Sequence, residues 1–305
     1  MMWMSQRRVI VTTRNKGDAQ EILRMNRLLL LLVLLLAFPV SVVAGEGADT
    51  EEMEKAFRLA ASAGDTETVL QFLDAKKVNV DAANLFGKTA LMMAVENGHF
   101  ATIVALLNRG SDVNQRTRDG GTALTFAAEN GHSGITAMLL EKGAHLHDRN
   151  NSGLDSLMLA AQYDLVEVVD QLLFKGADVK ASDKTGRTAL MIAAEKGHAG
   201  VARMIAEAGA DLESRDREGA TSLIIAAASD RQDVVEVLLE LGANIDAQDN
   251  DGISALMEAV YNRSFSIASL LVAKGANVDL NCKDGESAID IARINGATEI
   301  LALFK

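Results

Sequence analysis

Seven glycines, Gly87, Gly120, Gly153, Gly186, Gly219, Gly252 and Gly285, recur at a constant step of 33 residues. A second series, Gly110, Gly143, Gly176, Gly209, Gly242 and Gly275, keeps the same step. Two ladders in register mean that one supersecondary unit, with two tight backbone turns, is repeated along the chain. A chain of this kind does not close around a single core. Each unit buries its apolar face against its neighbours, and the product is a solenoid with a long displayed surface.

The residues around the first ladder define the unit. GKTALMMAVENGH, GGTALTFAAENGH and GRTALMIAAEKGH start at Gly87, Gly120 and Gly186. Two residues after each glycine stands Thr89, Thr122, Asp155, Thr188, Thr221, Ser254 or Ser287. All are N-cap types, whose side-chain oxygen accepts from a free N–H at a helix start. Small pairs such as Ala127-Ala128 and Ala193-Ala194 follow, so the first helix is a closely stacked inner one. A second apolar helix (Ile103-Val104, Leu106-Leu107; Val234-Val235, Leu238-Leu239) stops at the second glycine ladder. There a left-handed residue closes the helix. A short extended stretch such as Ser111-Asp112-Val113-Asn114 then leads into the next unit.

This helix–turn–helix–hairpin pattern, with both glycines, the cap and a GADVN-like segment, resembles the ankyrin repeat from about residue 52 to the end. The resemblance implies an all-α repeat solenoid of about eight stacked units over residues 52–305, a surface that binds other proteins, and no enzyme activity. One departure stands out. Met92, Met158, Met191 and Met257 occupy the place of the family's usual histidine, which puts an inter-repeat hydrogen-bond ladder in question while leaving the fold intact. Residues 52–86 form the first unit, with Phe57, Leu59 and Ala60-Ala61 on its inner helix and Lys76-Lys77 plus one extra residue in place of the glycine turn. Ile300, Leu301, Leu303 and Phe304 are expected to pack back on the seventh unit.

Residues 25–44, MNRLLLLLVLLLAFPVSVVA, read as a secretory signal peptide. Asn26-Arg27 makes a short positive region, Leu28 to Phe38 the apolar run, and Val42-Val43-Ala44 the small-residue cleavage site, with cleavage after Ala44. Residues 1–24 are polar and basic, and read as an upstream extension ahead of a true start at Met25. Residues 45–51 are a short N-terminal segment. An uncleaved anchor is the alternative, because the run counted through Ala44 approaches a membrane span of about 20 residues.

The full chain carries a net charge of −12; without residues 1–44 it loses six basic and two acidic residues, and the remainder stands at −16. Such a surface excludes nucleic acid or anionic lipid as the main partner and favours a basic protein. The single cysteine, Cys282, forms no internal disulfide, and no Pro follows Pro39, so residues 52–305 read as one domain.

Chemistry-bearing motifs are missing. There is no Walker loop, no Gly-x-Ser-x-Gly elbow and no cysteine paired with a base, so neither catalysis nor a cofactor nor a small-molecule substrate is expected. His99, His132 and His198 each follow the glycine of the turn between the two helices, a structural position. His145 and His147 beside Asp148 fall short of the ligand set of a zinc site. Asp249, Asp251 and Glu258 mimic part of a calcium loop, but Ser254 to Glu258 belongs to a helix and cannot wrap an ion.

In a stack like this the positions free to vary are the hairpin tips and the exposed, concave side of the inner helices. Most are charged here, as in Arg118-Asp119 and Glu129-Asn130. The exceptions are the candidate partner-binding residues: Leu85 and Phe86 on a tip, Leu154 and Ile253 after their glycines, and Tyr163 and Tyr261 on inner helices. Arg187 and Lys196 are expected at the rim. Aromatic residues bury large area at low entropy cost and dominate binding hot spots. The expected function is an exported protein-binding scaffold. Exported bacterial ankyrin proteins, which this chain resembles, imply a periplasmic inhibitor or protector of an envelope enzyme, such as self-protection against a cell-wall hydrolase. A secreted effector that binds a host protein and a membrane-anchored tether are the alternatives.

Overall fold

The structure, a computed structural model, describes residues 46–305; the upstream extension and the signal segment expected at 1–24 and 25–44 lie outside the described residues. Sixteen α-helices among the described residues stack as eight pairs, numbered here as units 1 to 8 from the N-terminal side. From unit 2 onward each unit begins at a glycine of the first ladder. Inner helices such as Ala90–Glu96 and Ala123–Glu129 pack on inner helices, and outer ones such as Phe100–Asn108 and Ser133–Glu141 on outer ones. No strand forms among the described residues; three isolated antiparallel bridges brace the bases of hairpins. The first helix begins at Glu46, so residues 46–51, expected as a short leading segment, are helical. No helix among the described residues is long and apolar enough to cross a membrane.

The caps explain where each inner helix starts. Thr89 accepts from the Met92 amide at 3.3 Å, and Asp155 from the Met158 amide at 3.0 Å. The same bond recurs at Thr122, Thr188, Thr221, Ser254 and Ser287. The methionine at the third helical position closes the box from the other side: the Thr89 amide donates to Met92 Sδ, and the Thr188 amide to Met191 Sδ, each at 3.5 Å. The thioether therefore serves within its own unit.

Bonds between units come from elsewhere. His99 Nε2 lies 2.9 Å from the Ser62 carbonyl, His132 Nε2 3.2 Å from that of Glu96, and His198 Nε2 3.1 Å from that of Gln162. Arg231 Nε donates to the Glu195 carbonyl at 3.0 Å in the corresponding place. A second series joins the hairpin tips. Arg118 N donates to Phe86 O at 2.9 Å, Asn151 N to Asp119 O at 2.7 Å, and Lys283 N to Asp251 O at 2.8 Å. The histidines thus have the structural role that their repeat position implies.

Side-chain packing shows where the repeat is imperfect. The buried side chains form two clusters, one from Phe57 to Leu139 and one from Ala128 to Ile300. Their boundary falls in unit 3, where Thr125 and Thr136 stand in the places of Met92 and Ile103 of unit 2. In unit 1, Phe57, Ala60 and Ala61 are buried, but Leu59, expected among them, is 50 % exposed on the face of the inner helix that later units present to their hairpins. Lys76 takes the left-handed backbone (φ 54°) that glycines hold in later units. Ile300 is buried, and Leu301, Leu303 and Phe304 pack against the core.

Candidate functional site

In units 2 and 5 the hairpin residue after the first-ladder glycine reaches the last turn of the inner helix eight residues on. Lys88 Nζ lies 2.6 Å from Glu96 Oε2, and Arg187 bonds Glu195 in the same way. Gly121 fills this hairpin place in unit 3, so the unit's own hairpin puts no side chain over the inner helix there. A Cβ on Gly121 would meet the Phe126 ring at 3.4 Å. The result is an open groove of about 440 Å³ across units 2 to 4. Its apolar lining is Phe86, Phe126, Leu154, Leu159 and Tyr163. Lys88 Nζ stands 4.4 Å from the Phe126 ring centre, a cation–π contact that shields one flank.

Of the residues expected to bind a partner, the structure gathers Phe86, Leu154 and Tyr163 in this groove. Phe86 is 71 % exposed and Tyr163 47 % exposed, whereas Leu154 is half-buried against the core. Leu85 is 73 % exposed beside Phe86 on the tip but is not among the groove's lining residues. Arg187 is engaged inside the chain, bonded to Glu195 and 3.9 Å from Asp216. Lys196 is exposed and lies 3.3 Å from Glu195. Ile253 packs partly buried against the core.

Tyr261, 44 % exposed, lies three units beyond Tyr163 and outside the groove. The two tyrosines also differ in register. Tyr261 is the last residue of helix Ala255–Tyr261, while Tyr163 caps helix Ser156–Gln162 from outside it. Burial holds the Tyr261 hydroxyl above its usual value of 10.0, and Cys282, Glu286, Asp284 and Glu258 push the same way. The Glu258 carboxyl is likewise raised, by burial first and then by Asp249.

Phe126 was not singled out in the sequence. It stands two residues after Leu124 in an apolar helix and reads as core, because its neighbours along the helix do not show what stands opposite it. The available signal was the doublet Gly120-Gly121, where other units carry a side chain at the second place. Glu129 also lines the groove, although its position reads as ordinary charged surface.

The remaining polar clusters are occupied by turn structure. Asp249 Oδ1 accepts from the amides of Asp251 at 2.9 Å and Ile253 at 2.8 Å, which closes its hairpin. Asp148 pairs with Arg116 at 2.9 Å and lies 3.7 Å from His145. Among the described residues no group of three His, Cys, Asp or Glu side chains is placed to hold a metal.

A search of curated proteins finds no match to the chain. Three copies of the family model for ankyrin repeats match residues 57–150, 157–249 and 241–304, most of the chain. These repeats form scaffolds for protein–protein binding, typically without catalysis, which agrees with a face built from hairpins and inner helices and carrying exposed aromatics. The chain belongs to the ankyrin-repeat family.

Proposed function

We propose that this chain is an exported scaffold that holds a protein partner against the groove of units 2 to 4, and that in the cell envelope it occludes an enzyme it inhibits or protects against. A cell-wall hydrolase is the concrete case, with self-protection as the outcome. The observation that carries the binding reading is the meeting of Phe86, Phe126, Leu154 and Tyr163 in one open groove on a chain of net charge −12. Phe86 and Tyr163 are exposed rings set beside further apolar side chains, and apolar residues grouped in this way mark interaction sites more than scattered single ones do. Export and the periplasmic address rest on the pattern of residues 25–44, and the envelope enzyme on likeness to exported bacterial repeats of this family.

A photo-crosslinking amino acid placed at Phe86 tests the reading in living cells. One dominant adduct with an envelope protein, together with a mature chain starting at Gly45, is the expected outcome. No adduct, or adducts confined to cytosolic proteins, would contradict it.

A further inference from the structure

The place of Gly121 is occupied by Lys88 in unit 2, Leu154 in unit 4 and Arg187 in unit 5. Gly121 is not among the glycines with left-handed backbone. A Cβ there would meet only side chains, Thr117 Oγ1 at 3.3 Å and the Phe126 ring at 3.4 and 3.5 Å. The fold therefore does not require glycine at this position. What glycine does is leave Phe126 without a covering side chain from its own hairpin, so that the ring is only partly buried and forms part of the groove floor.

The charges at the rim add a direction. Lys88 is already engaged, by Glu96 and by the Phe126 ring. Asp119 and Glu129 also line the groove, and among the described residues neither carboxylate makes a side-chain hydrogen bond or an ion pair. In unit 5 the carboxylate equivalent to Glu129 is Glu195, which Arg187 neutralises. In unit 3 that arginine place is Gly121, so the counter-charge is missing together with the side chain.

We propose that the depression over Gly121 seats one large apolar side chain, aromatic or leucine-like, carried by a partner protein in a segment where a lysine or arginine stands beside it. The inference rests on the protein-binding reading and names the chemistry of the partner. The apolar side chain takes the place that Leu154 fills in the next unit and covers Phe126. The neighbouring cation lies between Asp119 and Glu129, where it fixes orientation more than it adds affinity. An acidic segment is repelled from the same rim. A second copy of this chain is the competing occupant, because Phe174, 86 % exposed on an outer helix, is followed by Lys175.

The test uses a random heptapeptide library displayed on phage and panned on the full chain. Peptides that pair an aromatic residue, leucine or methionine with lysine or arginine should be enriched. A synthetic peptide of the enriched sequence should bind Gly121→Leu at least tenfold more weakly, as measured by fluorescence anisotropy. Glu129→Lys should weaken it comparably, and both variants should keep the wild-type thermal midpoint. No enrichment over an unrelated bait, enrichment of acidic peptides, or equal binding to Gly121→Leu overturns the proposal. Self-association in sedimentation that Phe174→Ala abolishes also overturns it, by giving the seat to a second copy. If Gly121→Leu still forms the crosslink from position 86, the seat fails while the scaffold reading stands.

Discussion

Gly153 lies against the backbone of Lys184 in the next hairpin, so closely that a Cβ at 153 would stand 2.8 Å from the Lys184 amide nitrogen. Its left-handed backbone (φ 88°) is therefore only half of the reason for glycine there. Gly285 has the same backbone (φ 82°), but a Cβ on it meets nothing within 4 Å.

These two positions separate conformational strain from close packing. Gly285→Ala should destabilise by about 1–2 kcal/mol, the penalty of left-handed backbone alone. Gly153→Ala should destabilise by about 2–4 kcal/mol, because the added methyl also pushes the next hairpin away. Urea unfolding of the two variants measures the difference. Equal losses would mean that the hairpins do not stack as described.

Thr136 is fully buried, and its Oγ1 has no hydrogen-bond partner. It stands where unit 2 has Ile103 and unit 4 has Val169. Thr136→Val keeps the shape and removes an unsatisfied hydroxyl, so it should stabilise by about 1 kcal/mol. A loss of stability in thermal or urea melts would show that the hydroxyl has a partner in solution.

Lys76 holds a left-handed turn with a side chain that needs no such backbone (φ 54°). Lys76→Gly should raise stability by about 0.5–1 kcal/mol, since the later units use glycine at this helix end. The change should appear as protection of the first two helices in hydrogen exchange. Unaltered exchange there would contradict it.

Asp155 caps its helix where six other units use threonine or serine, and burial raises its carboxyl above the ordinary 3.8. A raised value means that the folded chain binds this proton more tightly than the unfolded one. That contribution is present at low pH and is lost as pH rises through the folded value. Asp155→Thr should therefore stabilise at pH 7, by up to about 1 kcal/mol, and the advantage should shrink as pH falls toward 3.8. Denaturant midpoints of both proteins at pH 7 and pH 4 provide the check. A difference that is the same at both pH values would rule out the carboxylate as its cause.

The repeat was legible because its signals are local: a glycine, a cap three residues before the residue it serves, and a period that each unit restates. Phe86, Leu154 and Tyr163 could be singled out as apolar residues at places where neighbouring units carry charge. Their meeting with Phe126 was not legible, because it depends on what stands opposite. Phe126 enters the groove because Gly121, five residues earlier, puts no side chain against its ring, and Arg187 is engaged within the chain because Glu195 and Asp216 converge on it. The turn between the two helices of a unit, left-handed at Gly98, Gly131 and Gly197, was obscured for a different reason: in units 4, 6 and 7 it is held by Asp164, Asp230 and Arg263, which do not look like turn glycines.

The central claim is that the groove of units 2 to 4 holds the protein partner. It is tested most directly by co-purification from envelope extract of the double variant Phe126→Ala, Tyr163→Ala beside Phe174→Ala, which removes a more exposed ring from the outer face, with thermal unfolding of each. The groove variant should lose about thirtyfold or more in affinity, the typical consequence of removing a hot-spot aromatic. Phe174→Ala should retain the partner, and both should remain folded at the assay temperature. Undiminished recovery with the groove variant, or loss confined to Phe174→Ala, would place the binding surface elsewhere and contradict the account.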